Sequence, residues 1–321
     1  MGLKCPYCKG EEVIKRGWRK TKFGKKQRYL CRGCNRRFVE DDGFKRMVYP
    51  GEVISEGISL HQRGLSFAKV SEHFEEYKGI KPNPSTIWKW ERKYSKRLKE
   101  WEGKQEPKIG GPIHMDEVIV KVKGEKLYRW HAKDKKTRFK FSGNLTDRSY
   151  ERGAKPLFKQ IKRRTRKQFK ERKKMGNPIK FVSDKLGHYR KGFNRYFSRM
   201  ADLEFGVPIA NKKYGREHNN NPIERDNEEI KERYKVMRGF KNRDSAQTTL
   251  DMHDIHQNYI HPIRLKGEKR ARTPAERAGI KIDLGRQHWL LHLIMFFPIL
   301  KRSRNWKIFS KIRLPKPCIA S

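Results

Sequence analysis

The sequence predicts a multidomain chain: a small ribbon, an all-α module, and an α/β domain on a mixed sheet whose first three strands are antiparallel. Three observations predict it. Two C-x-x-C pairs, Cys5/Cys8 and Cys31/Cys34, bracket 22 residues near the start. Three helical periods follow between residues 50 and 102. From His114 the pattern changes to three alternating strand-like runs in succession, and then to helix–strand alternation. The boundaries read as 1–42 for the ribbon, 50–102 for the helical module, 113–262 for the α/β domain and 263–321 for a basic carboxyl-terminal segment. A turn-rich linker, EGKQEPKIGGP, spans 102–112.

The four cysteines match a structural zinc site. Two C-x-x-C turns present four thiolates to a tetrahedral ion, at Zn–S distances of about 2.3 Å. Gly10 and Gly33 are expected to supply the permissive backbone of these turns. Val13-Ile14, Trp18, Phe23 and Tyr29-Leu30 have strand character, with a hairpin bend at Phe23-Gly24. Disulfides would need an oxidising compartment and a redox dithiol would need one pair, so Zn²⁺ on Cys5, Cys8, Cys31 and Cys34 is the stronger reading. Cys318 has no partner in this pattern.

Charge narrows the function class. The 321 residues carry 80 Lys+Arg against 36 Asp+Glu, a formal net charge of +44. That excess points to a polyanionic partner, nucleic acid above all. It is concentrated in the ribbon and in residues 155–174, which hold 11 basic side chains against the single Glu171. Leu157, Phe158, Ile161 and Phe169 interrupt the latter run at helical spacing, so it reads as a helix with one docked face and a basic face along a phosphate backbone. Met1–Lys9 has no apolar core of a signal peptide. The longest apolar run, Trp289–Leu300, falls short of the roughly 20 residues of a membrane span and contains Pro298. The expected setting is cytoplasmic and nucleoid-associated, with no membrane partner.

In the helical module, helices are expected at 51–62, 67–78 and 85–101. Ser66 is the candidate N-cap of the second, and Pro82-Asn83-Pro84 forms the turn before the third. The third carries Ile87, Trp88, Trp90 and Tyr94 among Lys89, Arg92, Lys93, Lys96 and Arg97. Helix, short turn and basic aromatic helix is the helix-turn-helix plan, with Ser85, Thr86, Lys89 and Arg92 as candidate DNA contacts. The competing reading is a plain three-helix bundle, and one of the two tryptophans is expected in its core.

In the α/β domain, MDEVIVKV, LYRWHAKD and TRFKFSGNL form an antiparallel meander joined by turns at KGEK and Lys135-Lys136. A helix over the basic stretch, the strand IKFVSD, a helix at about 188–200 and a short strand VPIA at 207–210 follow. The last helix is expected over 223–237, where Glu224, Glu228 and Lys231 recur at i, i+4 and i+7. Asp116 falls in the first strand, Asp184 at the end of the fourth and Glu224 on the helix after the fifth, with Glu117 and Asp147 as competitors for the role of Asp116. Carboxylates converging at strand ends are hard oxygen donors suited to Mg²⁺ or Mn²⁺. Two such ions about 4 Å apart clamp the attacking and leaving oxygens of a phosphodiester displacement. If water attacks, a strand is nicked, and if a 3′-hydroxyl attacks, strands are joined.

His114-Met115-Asp116-Glu117, Phe181-Val182-Ser183-Asp184, Asn219-Asn220-Asn221-Pro222-Ile223-Glu224-Arg225 with Lys231, and Arg238-Gly239-Phe240-Lys241 occur in that order. This set resembles the signature of DDE transposases of bacterial and archaeal insertion sequences that carry a zinc ribbon and helix-turn-helix before an RNase H-like domain. Asn258-Tyr259-Ile260 and Thr273 to Ile280 are similar to the family's closing segment, so the resemblance covers about residues 1–285. It implies Asp116, Asp184 and Glu224 as the metal-binding triad, with Lys231 on DNA beside it. It also implies binding to terminal inverted repeats, strand cleavage and strand transfer on double-stranded element ends and target DNA, and a homo-oligomer that holds both ends. The separations of 68 residues from Asp116 to Asp184 and 40 from Asp184 to Glu224 are slightly long for the family. The tail beyond Gln287 is unlike its usual ending, so the alternative reading is an inactive DNA-binding relic or regulator.

Overall fold

The computed structural model describes residues 3–183, 187–205, 221–236, 239–282, 290, 293 and 294. The chain divides into two compact units, residues 1–57 with 284–321 and residues 58–283.

In the first unit, β1 (Val13–Thr21), β2 (Gly24–Cys31) and β3 (Arg37–Val39) form an antiparallel sheet in that order. Thr21 pairs with Gly24 across the two-residue turn Lys22-Phe23, and Gly24 takes φ +128°, a value open to glycine. Its core is small: Cys5, Cys31 and Phe38, with Leu3, Val13, Tyr29 and Cys34 packed against them.

Helix α1 (Gly51–Gln62) spans the division between the units. In the second unit, α2 (Phe67–Lys78) starts at Ser66, whose side chain accepts from the Lys69 amide, and stops at Gly79 in the left-handed conformation. Asn83 caps α3 (Pro84–Glu102), whose Pro84 occupies the first turn, where no amide is needed. Trp90 is buried and Trp88 half-buried. The carboxyl half of α3 packs against α7 (Arg243–Ile255) through a hydrogen bond from Ser95 Oγ to the Thr248 carbonyl and the Lys99–Asp251 ion pair at 3.5 Å.

Five strands form the central sheet: β4 (Ile113–Val122), β5 (Glu125–Asp134), β6 (Lys140–Thr146), β7 (Ile179–Ser183) and β8 (Ala201–Phe205). Their order is β6-β5-β4-β7-β8. The first three are antiparallel neighbours, and β7 and β8 add in parallel on the other side of β4. The tight β4–β5 turn takes positive φ at Lys123 and Gly124.

A π-helical turn over Tyr150–Ala154 leads into α4 (Lys155–Lys174), and α5 (Gly187–Tyr196) follows β7. Leu157, Phe158, Ile161 and Phe169 of α4 are buried, and Phe158 and Phe169 meet Phe181 of β7. Gly192 lets α5 approach α4, since a Cβ there would lie 2.3 Å from the Phe158 ring. On the opposite face of the sheet, Val118, Val120 and Val122 of β4 pack with Ile230 of α6 (Asn221–Val236), Phe240 and Leu250. Asn258 is fully buried and joins β6 to α3: it exchanges two hydrogen bonds with the Lys140 backbone and donates to Glu102 Oε1. A four-residue helix, α8 (Pro274–Arg277), is capped by Thr273.

The fifth strand differs from the sequence expectation. It is Ala201–Phe205, whereas 207–210 lies outside the described residues. Asp202 and Glu204 disguise it, because a sheet-edge strand needs only alternate apolar residues, and Glu204 pairs with Lys180 at 2.7 Å.

Candidate active site

Successive side chains of a strand point to opposite faces, so Asp116 shares a face of β4 with Val118, Val120 and Val122, the face that α6 covers. Asp116 Oδ2 accepts a 2.7 Å hydrogen bond from Asn227 Nδ2, and Oδ1 accepts from the Glu117 amide at 2.9 Å. Asn227 lies three residues after Glu224 on α6, so the two share one side of the helix. The contact that fixes Asp116 therefore also turns the Glu224 side of α6 toward β4. Both carboxylate residues are half-buried, while Glu228 and Lys231 are exposed farther along α6. Strand β7 runs parallel to β4 with His114 opposite Val182, and its last residue, Ser183, directly precedes Asp184. Asp184 itself lies outside the described residues, as do Asn219 and Asn220.

Helix α6 is held on the sheet by buried charge. Asp226 Oδ1 lies 2.6 Å from Lys133 Nζ and 3.3 Å from Lys140 Nζ, on β5 and β6. Burial raises the Asp226 carboxyl, but the two ammonium groups outweigh it and hold it below the usual carboxylate range. Burial lowers the Lys133 ammonium, whereas at Lys140 the surrounding carboxylates outweigh burial and raise it. His131, paired with Asp116 across β4 and β5, is lowered by burial to about 4. Behind it, Arg129 Nη2 bridges Asp251 at 2.8 Å and Asp254 at 2.7 Å on α7.

Sequence reasoning missed Asn227, Asp226, Lys133 and Lys140. Asn227 was within reach, because i+3 from Glu224 is as close a neighbour as i+4. The lysines sit in strands whose alternation assigns no partner.

The competitors for the role of Asp116 point elsewhere. Glu117 faces the other side of β4, where its Oε2 accepts from the Tyr189 hydroxyl at 2.7 Å and its Oε1 meets Arg148 Nη2 at 2.7 Å. Asp147 is exposed and bonded to Ser149 and Arg152.

In the ribbon, the ligand atoms of Cys5, Cys8, Cys31 and Cys34 all lie within 4.8 Å of one another, the only such metal-capable group among the described residues. Cys5 Sγ is 3.6 Å from Cys34 Sγ and Cys8 Sγ is 3.5 Å from Cys31 Sγ. Sulfurs on a tetrahedral ion at about 2.3 Å stand about 3.8 Å apart, so the donor set fits one. Burial raises the Cys5 thiol, but the Cys8 and Tyr7 amides outweigh it and lower it to about 6. The Arg36 amide lowers Cys34, yet burial and the three neighbouring sulfurs push it up to about 12. Four sulfurs crowded in this way are a donor set suited to a cation. The left-handed turn positions fall on Lys9 (φ 65°) and Asn35 (φ 54°) rather than on the glycines. Gly10 and Gly33 instead lie against the sulfurs, with ideal Cβ positions 3.4 Å from Cys8 Sγ and 3.9 Å from Cys31 Sγ.

At the start of α3, Ser85, Lys89 and Arg92 are exposed and Thr86 is half-buried. The Ser85 amide and hydroxyl both bond to Asn83 Oδ1, and the Arg92 guanidinium lies over the Trp88 ring, 5.5 Å from its centroid. No helix among the described residues is long and apolar enough to cross a membrane.

Residues 111–261 match a transposase family model described as a DDE domain. No curated protein matches the sequence. Among solved structures, the chain is similar to the HTLV-2 integrase catalytic core domain in complex with magnesium in its trimeric form, at 9% identity and a TM-score of 0.33 over 53% of this chain and 97% of that one. It is also similar to the simian T-cell lymphotropic virus intasome in complex with PP2A regulatory subunit B56 gamma, at 10% identity and a TM-score of 0.31 over 83% and 80%. The matched stretch holds the three antiparallel strands, the two parallel ones on the far side of β4, Asp116 on β4 and Glu224 on α6. Residues 111–261 thus resemble the DDE domain of transposases.

Proposed function

We propose that this protein is a DDE transposase, which binds the terminal inverted repeats of its own insertion sequence and catalyses cleavage and strand transfer at Asp116, Asp184 and Glu224. The observation that carries the reading is the Asn227–Asp116 hydrogen bond, which brings the Glu224 side of α6 to the strand bearing Asp116. Two Mg²⁺ or Mn²⁺ ions, when bound by the three carboxylates, supply Lewis-acid activation of the attacking oxygen and stabilise the leaving one. The chain's own part is positional. Asn227 and the Glu117 amide fix the Asp116 carboxylate in one orientation. The Asp226–Lys133–Lys140 cluster keeps Glu224 on a rigid helix. Lys231, exposed two turns beyond Glu224, meets a DNA phosphate beside the site.

Recognition of the ends falls to the flanking modules. Helices α2 and α3 act as a helix-turn-helix, with Ser85, Thr86, Lys89 and Arg92 directed to DNA. Ser85, Lys89 and Arg92 are exposed while Ile87, Trp90 and Tyr94 of the same helix are buried, which supports this reading. The ribbon is held by Zn²⁺ on Cys5, Cys8, Cys31 and Cys34 and presents basic strands to phosphates. Joining two element ends to one target calls for a homo-oligomer, since each chain carries one triad.

The test uses a duplex carrying the element's own end, with Mg²⁺ or Mn²⁺, and compares wild type with Asp184→Asn. Cleavage by wild type, with end binding but no cleavage by the variant, is the expected result. Binding without cleavage by wild type under either ion would leave a DNA-binding protein in place of a recombinase.

A further inference from the structure

The basic run that the sequence concentrates in residues 155–174 is not spread around its helix. Lys159, Arg163, Arg166, Lys170 and Lys173 recur at steps of four, three, four and three, which forms one stripe along α4, and all five are exposed. The buried Leu157, Ile161, Arg164, Thr165 and Phe169 occupy the other side of the helix. The stripe runs for about 21 Å, at the 1.5 Å rise of an α-helix.

No ion pair neutralises any of the five among the described residues. Arg163 donates to the Gly103 carbonyl and Lys173 to the Arg199 carbonyl, contacts that hold the side chains and leave their charge in place. Glu171, the only acid on the helix, stands outside the stripe. Like charges at i, i+3 and i+4 destabilise a helix, and this stripe stacks four such pairs in succession. The aromatic anchor beneath carries that cost: Phe158 and Phe169 lock α4 against Phe181, and Gly192 brings α5 into contact. Arg195 and Arg199, exposed on and just after α5, extend the basic surface.

Helix α4 covers the sheet face opposite α6. The stripe therefore does not face the side of the sheet on which Asp116 meets Asn227.

We propose that α4 is a second DNA-binding surface, which holds the phosphate backbone of a double-stranded segment other than the one at the carboxylates, without reading its sequence. Duplex DNA fits by charge and by length, because a stripe of about 21 Å spans about six base-pair rises of 3.4 Å. Long flexible side chains at about one per helical turn adapt to phosphates and carry no base code. The proposal rests on DNA as the substrate of this domain, and its test reads binding alone. Its failure with end cleavage intact would remove the α4 surface and leave the proposed activity standing.

The experiment measures binding of the full-length protein to a 25-base-pair duplex of arbitrary sequence across a salt series. Wild type is compared with Lys159→Gln/Arg166→Gln/Lys170→Gln and with a control of equal charge, Lys121→Gln/Lys123→Gln/Lys126→Gln, at exposed positions around the β4–β5 turn. Each phosphate contact contributes about 0.9 to the slope of log K against log salt, so the α4 variant is expected to lose about 2.7 from the slope and at least about tenfold in affinity near 0.1 M salt. The control keeps the wild-type slope. A charge-conserving variant, Lys159→Arg/Arg166→Lys/Lys170→Arg, restores binding and separates charge from any disturbance of the helix. An α4 variant indistinguishable from the control overturns the proposal. So does wild type that prefers a double-stranded RNA of the same length and loses that preference in the α4 variant.

Discussion

Asn227 donates to Asp116 Oδ2 at 2.7 Å, and its loss leaves that carboxylate free to turn. A hydrogen bond to a charged group contributes about 1.5–3 kcal/mol, so Asn227→Ala is expected to reduce the cleavage rate by about ten- to a hundredfold. A raised divalent-ion requirement with an unchanged melting temperature would mark this as positioning. A rate unchanged at every ion concentration would remove Asn227 from the site. Glu117 supplies the matching control: it faces Tyr189 and Arg148, and Glu117→Gln is expected to retain cleavage, whereas Asp116→Asn abolishes it. His131 links the site to pH. Burial lowers it from 6.5 to about 4, so the folded state binds fewer protons than the unfolded chain between those values. Its contribution to stability is complete above pH 6.5 and is lost as pH falls toward 4, on the order of 3 kcal/mol in all. Urea unfolding at pH 7.5 and pH 5 is expected to show about 2 kcal/mol of this loss in wild type and a smaller loss in His131→Gln. Equal losses in both would assign the pH dependence to other groups.

At the scale of elements, α6 depends on a charge cluster that alternation alone does not reveal. Asp226 is the common partner of Lys133 and Lys140, all three buried, and Asp226→Asn removes the carboxylate that the two ammonium groups share. Removing one member of a buried pair costs about 3–5 kcal/mol, which a lower urea midpoint at constant m-value would show. The three helices of residues 51–102 and the antiparallel meander were legible because each has a strong period and marked ends: Ser66, Pro84, Lys123-Gly124. Asp116 and Glu224 were legible as carboxylates on particular elements. Which way they face was not, because only the packing of Val118, Val120 and Val122 on Ile230 decides which side of β4 meets α6. The fifth strand escaped notice because Asp202 and Glu204 give an edge strand the look of a loop.

For the whole molecule, the ribbon and the residue 58–283 unit are expected to respond differently to loss of metal. Among the described residues the ribbon's core holds only Cys5, Cys31 and Phe38 with a few half-buried neighbours, so its fold is expected to depend on an ion held by the four cysteines. A chelator that strips zinc is expected to speed hydrogen exchange through β1, β2 and β3 while β4 to β7 stay protected. Protection retained in the ribbon would show that the four cysteines hold no structural ion. The central claim concerns the proposed carboxylate site, and strand transfer by the full-length protein on its own element end tests it most directly, comparing wild type with Glu224→Gln in Mg²⁺ and Mn²⁺. Transfer by wild type and none by the variant, with end binding equal in both, is the predicted result. Transfer retained by Glu224→Gln would contradict the account, because the helix that Asn227 turns toward Asp116 would then carry no catalytic carboxylate.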